Sequence, residues 1–208
     1  MNNKYNEKEL IFFWNKYYTE NKKILPNSNF AEFTKKYLQK EESLIDIGCG
    51  DGRDSVFFSK QNIFTTGVDF SNLAIEKNTK LENFYLKFEH LNLNDIQSYE
   101  NFFDYAYCRF LFHAINVDIE NSLFIWFKQN IKKMIFIETR VQEESTVKKE
   151  NDHFRRYFRE EDFLNKILKH GFKILYSETS TNFSKYKKVY NVTDLTHDPL
   201  LLRVVISI

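Results

Sequence analysis

The chain reads as an α/β domain: a doubly wound, mostly parallel sheet of seven strands with an antiparallel strand at the C-terminus and helices on both faces. Three observations predict it. Short segments rich in β-branched and aromatic residues, SLIDIG, FTTGVD, FYLKFEHLNL, FDYAYCRF, KKMIFIETR, FKILYSET and LLRVVISI, alternate with stretches of helical period. That alternation is the mark of parallel strands joined by crossover helices. A glycine-rich turn follows the first strand and opens a helix, the place where open α/β sheets bind ligands. The length, 208 residues, suits one well-buried core better than two.

Taken in order, residues 7–20, EKELIFFWNKYYTE, set Leu10, Phe13, Trp14 and Tyr17 at helical spacing, an amphipathic helix with an aromatic stripe. After Pro26, Asn27 and Ser28 supply an N-cap for a second helix through FAEFTKKYLQK. Residues 1–40 are expected to form a helical extension or lid, and residues 41–208 the compact domain. Between strands, RDSVFFSKQ, SNLAIEKNTKL from its Ser71 cap, NVDIENSLFIWFKQNI and EEDFLNKILKH read as helices, the last stopped by Gly171. VQEESTVKKENDH has mixed charge and no apolar period, and reads as a mobile loop.

Composition excludes several classes. Thirty Lys and Arg against 29 Asp and Glu give a net charge of +1, so no global field draws the chain to nucleic acid or membrane. An anionic ligand must then be met by a local cluster. The start MNNKYNEKELIFFWNKYY lacks the pattern of a signal peptide, and no apolar run approaches a membrane span. Two cysteines do not make a disulfide framework, which fits a reduced, cytoplasmic setting. The 22 Phe and 12 Tyr supply much of the core and leave material for a pocket that takes planar ligands. No metal-ligand cluster is read.

The motif with most chemical content is SLIDIGCGDGRDS, in which Asp46 precedes Gly48, Gly50 and Gly52. Three of the chain's five glycines stand here. They let the main chain approach a ligand, and amides at the following helix start can donate to an anionic group. A dinucleotide turn has its third glycine one residue later and no acid ahead, because it receives a pyrophosphate. Asp46 would repel a diphosphate and suits the amino group of a methionine-like tail. The second strand ends at Asp69, near the usual spacing for an acid that accepts both ribose hydroxyls. An acid before the glycines and an acid after the next strand describe a nucleoside that carries an amino acid and no phosphate. S-adenosylmethionine is that molecule.

SLIDIGCGDGRDS and TGVDFSNLAIEKN resemble the first two motifs of class I S-adenosylmethionine-dependent methyltransferases. The resemblance implies a Rossmann-like fold and cofactor contacts from Asp46, Gly48, Cys49, Gly50, Gly52, Asp69 and Phe70. Arg53, Asp54 and Arg109 are expected beside them. It also implies that Asn92 and Leu93 meet the adenine; the family usually has an acid at the first of these positions, and Asp95 is the candidate in another register. The product would be S-adenosylhomocysteine.

The second half carries the expected acceptor side. FDYAYCRFLFHAIN puts Arg109 and His113 near the sulfonium edge, and His113 has the reach and intrinsic pKa of a general base. In IETR, Glu138 and Arg140 are two apart on one strand and point together. DHFRRYF adds His153, Arg155 and Arg156. With Lys185 and Arg203 these cations form the expected mouth for an anionic acceptor. His113, His153, Arg140 and Arg156 are the catalytic candidates, and Tyr18, Glu138, Arg155, Lys185 and Arg203 join Arg140 and Arg156 as substrate contacts.

WNKYY, CRFLFHAI, IETR, HFRRYF, FSKYKK and DPLLLRVVIS, taken with the glycine motif, are similar to methyltransferases encoded in bacterial capsule and surface-glycan loci, including those associated with phosphoramidate decoration. That likeness implies an O-methyltransferase acting on a small phosphate, phosphoramidate or nucleotide-linked precursor, as a monomer or weak homodimer, with no nucleic-acid or membrane partner. A neutral sugar hydroxyl or other small metabolite is the alternative acceptor. A non-catalytic, cofactor-binding partner subunit is the alternative of another class.

Overall fold

The computed structural model describes residues 7–20, 25–142, 146–150, 153–183 and 199–208, with the backbone alone at 7–8, 146–150 and 153–154. Its strands are β1 (Ser43–Ile47), β2 (Phe64–Asp69), β3 (Leu86–His90), β4 (Phe103–Arg109), β5 (Ile131–Arg140), β6 (Thr146–Glu150), β7 (His153–Tyr157), β8 (Lys173–Ser180) and β9 (Leu201–Ser207). The helices are α1 (Glu7–Glu20), α2 (Asn29–Lys35), α3 (Arg53–Ser59), α4 (Asn72–Asn78), α5 (Val117–Asn130) and α6 (Glu160–Lys169).

Among the described residues, seven strands form one sheet in the order β3-β2-β1-β4-β5-β9-β8. The pairs from β3 to β5 are parallel, and β9 runs antiparallel between β5 and β8. The chain winds outward from β1 to β3, then crosses back to β4. The strand order therefore reverses between β1 and β4, and the crevice at their carboxyl ends is the expected ligand site. Central strands are apolar on both faces, as burial under helices requires: Leu44, Ile45 and Ile47 of β1 are fully buried.

One face is filled mainly from α5 and α6. Leu123, Phe124, Trp126 and Phe127 of α5 are fully buried, and Phe163 and Ile167 of α6 pack into the same cluster. Each such side chain contributes on the order of 2 kcal/mol by leaving water. On the other face, Phe30 and Ala31 of α2 are fully buried beside Phe58 and Tyr107. Ser28 caps α2, its hydroxyl accepting from the Ala31 amide at 3.0 Å, as the sequence predicts. Gly171, at φ +78°, ends α6 in the left-handed conformation expected of it.

The expectation of a loop over 141–153 is corrected. Thr146–Glu150 pairs antiparallel with His153–Tyr157, with Val147 opposite Arg156 and Lys148 opposite Arg155. The strand TVKKE alternates too weakly in hydropathy to be seen in isolation, and it exists through its pairing with β7. The reading FYLKFEHLNL is also shortened: the strand ends at His90, and Leu93–Ser98 is a 3-10 turn capped by the Asn92 side chain.

Candidate active site

The turn after β1 folds back over β2, with the Gly48 and Cys49 amides both donating to the Val68 carbonyl, at 2.8 and 3.0 Å. Gly50 and Gly52 have φ of +56° and +72°, a conformation that side chains resist. Space is the second reason for glycine. A Cβ on Gly50 would lie 2.6 Å from the Tyr18 hydroxyl of α1, and one on Gly52 would lie 2.7 Å from the Phe88 ring. The Gly50 amide donates to Asp69 Oδ2 at 3.0 Å and the Ser71 amide to Asp69 Oδ1 at 2.9 Å, which fixes that carboxylate at the end of β2.

Asp46 is buried, and the Ser55 hydroxyl donates to its Oδ2 at 2.5 Å. Burial pushes its pKa up to about 8; the Ser55 hydrogen bond pulls the other way, and the charges of Asp54, Asp69 and Asp51 add to the rise. A carboxylate in this state is one that a ligand cation would stabilise. Asp69 is likewise raised by burial, against the two amide hydrogen bonds. Asp54 differs: the Ser28 amide and hydroxyl and the Tyr107 hydroxyl donate to it at 2.6, 2.7 and 2.8 Å. Its carboxylate ties α2 and β4 to α3, and most of its accepting capacity is used within the protein.

A cavity of about 370 Å³ opens against this turn. It is lined by Asp46, Gly48, Cys49, Gly50, Arg53 and Asp54 of the turn and the start of α3, by Arg109, Phe110, His113, Arg140 and Arg155, and by Phe13, Trp14, Tyr17 and Tyr18 of α1. Asp69 does not border the cavity, but Tyr18 does, and its hydroxyl pKa is raised by burial and then by the charge of Asp69. α1 is held on this side by Asn15, whose Oδ1 accepts from the Ser71 hydroxyl at 2.6 Å, and by Lys77, whose ammonium donates to the Tyr18 carbonyl.

Behind the cationic wall, Arg109, Glu138 and Arg203 pair in register across β4, β5 and β9. Nε of Arg109 donates to Glu138 Oε1 at 3.1 Å and Nε of Arg203 to Oε2 at 2.8 Å. Glu138 and Arg203 are buried behind the cavity and do not line it; they orient Arg109. The His113 ring is buried at the cavity wall, with its Nδ1 3.4 Å from the Thr139 hydroxyl.

Arg156 is a correction. Its guanidinium is buried, pairs with the fully buried Glu120 of α5 and donates to the Ile115 carbonyl at 3.2 Å. Lys166 of α6 reaches the other oxygen of Glu120. Alternation along β7 separates Arg155, on the cavity, from Arg156, in the core. Asn92 caps the following turn, with Oδ1 accepting from the Asn94 amide at 3.0 Å. Leu93 packs on the core, and neither it, Asn92, Phe70 nor Gly52 borders the cavity. His153 is placed in β7 by its backbone alone, and Lys185 lies outside the described residues.

Sequence reasoning missed Ser55, which holds Asp46, and Phe110, whose ring is met by both Arg109 and Arg140. Ser55 follows Asp46 by nine positions, and only the packing of α3 on β1 brings them together. Among the described residues, no group of three His, Cys, Asp or Glu side chains is placed to hold a metal ion.

Residues 44–132 match the family model described as a methyltransferase domain. No curated protein matches the sequence. Among solved structures, the chain is similar to the 1,6-didemethyltoxoflavin-N1-methyltransferase of Burkholderia thailandensis, solved with S-adenosylhomocysteine bound, at 15% identity and TM-score 0.69 over 85% of this chain and 75% of that one. It is similar to an S-adenosylmethionine-dependent methyltransferase of Methanosarcina mazei, at 15% identity and TM-score 0.65 over 84% and 95%. It is also similar to the [4+2]-cyclase SpnF, at 13% identity and TM-score 0.72 over 95% and 93%. At such identities the structures speak to fold alone, and the last shows that this fold hosts other reactions. The buried acid ahead of a bare glycine turn and the fixed carboxylate at the next strand end suit an ammonium-tailed nucleoside. The match over residues 44–132 spans the glycine turn, Asp46 and Asp69, so the part of the chain that resembles a methyltransferase domain is the part that forms the glycine-turn lining of the pocket.

Proposed function

We propose that the protein methylates an oxygen of a small anionic acceptor: a phosphate, phosphoramidate or nucleotide-linked precursor of a capsular or surface polysaccharide, in the cytoplasm. The observation that carries the anionic acceptor is that Arg109, Arg140 and Arg155 line the same cavity as the glycine turn and Asp46. The protein's net charge is only +1, so this concentration of positive charge is local and serves one ligand. The glycan context rests on the likeness of the second-half segments to methyltransferases of surface-glycan loci.

S-adenosylmethionine supplies an electrophilic methyl group on a sulfonium. Asp46 is suited to hold the ammonium of the amino-acid tail and Asp69 the ribose hydroxyls. The arginines would hold the acceptor oxygen in line, and such positioning supplies several kcal/mol of barrier lowering. A phosphate or phosphoramidate oxygen is already a nucleophilic anion and needs no base. α1 would act as the lid, because four of its aromatic residues line the cavity and the Tyr18 hydroxyl lies close against Gly50 of the glycine turn. The cavity volume lies at the small end for ligand sites, which favours a small acceptor or the tip of a larger one.

His113 at the cavity wall supports the second reading, a neutral hydroxyl that needs a general base. One comparison separates the two, with methyl-labelled cofactor and a panel of phosphorylated, phosphoramidate and neutral sugars. For an anionic acceptor, Arg140→Ala lowers acceptor kcat/KM by about tenfold or more, the worth of a charged hydrogen bond, and His113→Ala costs a few fold. A loss of about a hundredfold at His113 with little effect at Arg140 would instead establish a base and a neutral acceptor.

A further inference from the structure

Phe110 stands at the exit of β4 with φ +58°. Among the described residues, the other non-glycine residues with positive φ are Glu41 and Asn62, in the turns ahead of β1 and β2. A bulky residue in this region is strained, and strain of this kind gathers at functional sites. Gly or Asn would make the same turn with less strain, so the turn itself does not call for a phenyl ring.

What the ring adds is visible in its contacts. The Arg109 guanidinium carbon lies 4.3 Å from the ring centroid and that of Arg140 lies 5.8 Å away. The His113 ring meets it edge-on at 5.6 Å and 65°. The backbone under the ring is anchored, since the Phe110 amide donates to the Glu138 carbonyl at 2.8 Å. Arg109 gives its Nε to Glu138 while its guanidinium carbon lies over Phe110, and the two contacts together restrict its orientation. Arg140 comes from the same strand face as Glu138, two residues on, and meets the same ring.

We propose that Phe110 is the positioning residue of the acceptor site, its ring spacing the guanidiniums of Arg109 and Arg140 as a clamp for one oxyanion. This rests on the reading that the acceptor is anionic. The ring contributes through two cation–π contacts and makes no charge contact with the anion itself.

The test is a calorimetric titration of inorganic phosphate into the full chain saturated with S-adenosylhomocysteine, for wild type, Phe110→Gly, Phe110→Asn and Phe110→Tyr. Removing the ring is expected to weaken phosphate about tenfold, with S-adenosylhomocysteine affinity within about twofold. Phe110→Tyr, which keeps the ring, is expected to rescue binding to within about twofold of wild type. Phosphate binding as tight in Phe110→Gly and Phe110→Asn as in wild type would overturn the role of Phe110 and leave the anionic acceptor standing. A parallel loss of S-adenosylhomocysteine affinity would overturn it too, by showing a general collapse of the pocket. A wild-type complex that holds S-adenosylhomocysteine but takes up no phosphate would overturn both.

Discussion

Arg155 and Arg156 are consecutive in β7, yet one lines the cavity and the other is buried against Glu120. The same contrast separates two buried acids. Glu120 is fully buried and meets both Arg156 and Lys166, so its charge is balanced within the protein. Asp46 is as deeply placed, yet the Ser55 hydroxyl is its hydrogen-bond donor and other acids crowd it. Buried charge in the β7–α5–α6 cluster is satisfied by the fold. In the pocket the neighbours of Asp46 are a hydroxyl and further acids. Burial alone does not tell the two apart; the sign of the neighbours does.

The largest effect that would sharpen this comparison is at Asp46. A carboxyl whose folded pKa stands at about 8 against 3.8 unfolded holds its proton more tightly when folded. Its contribution to stability is full below about pH 4 and is lost as pH rises through about 8, with a slope of up to about 1.4 kcal/mol per pH unit. Asp46→Asn is expected to flatten that decline, so the variant gains on the wild type at pH 8 in denaturant unfolding while losing S-adenosylhomocysteine binding. Equal slopes for the two proteins would show that Asp46 is already charged in the empty pocket.

Next in size is Arg156→Ala. It leaves Glu120 buried with one cation fewer and is expected to cost about 3 kcal/mol in urea unfolding, while the folded fraction binds S-adenosylhomocysteine as the wild type does. Arg155→Ala reverses the pattern. Stability stays within about 0.5 kcal/mol, and acceptor kcat/KM falls about tenfold. If both variants changed the same quantity, the division between the neighbours would fail. The smallest effect is expected at Arg203→Met, behind the wall: acceptor KM rises a few fold through a looser Arg109, with cofactor affinity unchanged in the same titration.

The sheet was legible because its strands are short apolar runs separated by helices of clear period, and because Asp46, Gly48, Gly50 and Asp69 stand at strand ends whose chemistry is local. The cationic wall was legible only as a composition. HFRRY is a strand by virtue of its partner TVKKE, and without that pairing the period-two rule that separates Arg155 from Arg156 has nothing to act on. Glu138 and Arg203 carry the same letters as acceptor contacts would, but strand register closes them on each other and on Arg109. Phe110 gave no signal, since a positive φ is set by the turn between β4 and the 3-10 turn Phe112–Ala114 rather than by the residue. The α1 aromatics were visible as a stripe; that they face the cavity depends on the docking of α1 through Asn15 and Lys77.

The central claim is that a proton-bearing Asp46 waits in the glycine turn for the ammonium of S-adenosylmethionine. Calorimetric titration of S-adenosylhomocysteine at pH 7, in buffers of different ionisation enthalpy, tests it most directly. The account predicts binding accompanied by release of about one proton, and no such release from Asp46→Asn. Saturable binding with no proton release would refute the state assigned to Asp46, and the absence of binding at millimolar ligand would contradict the site itself.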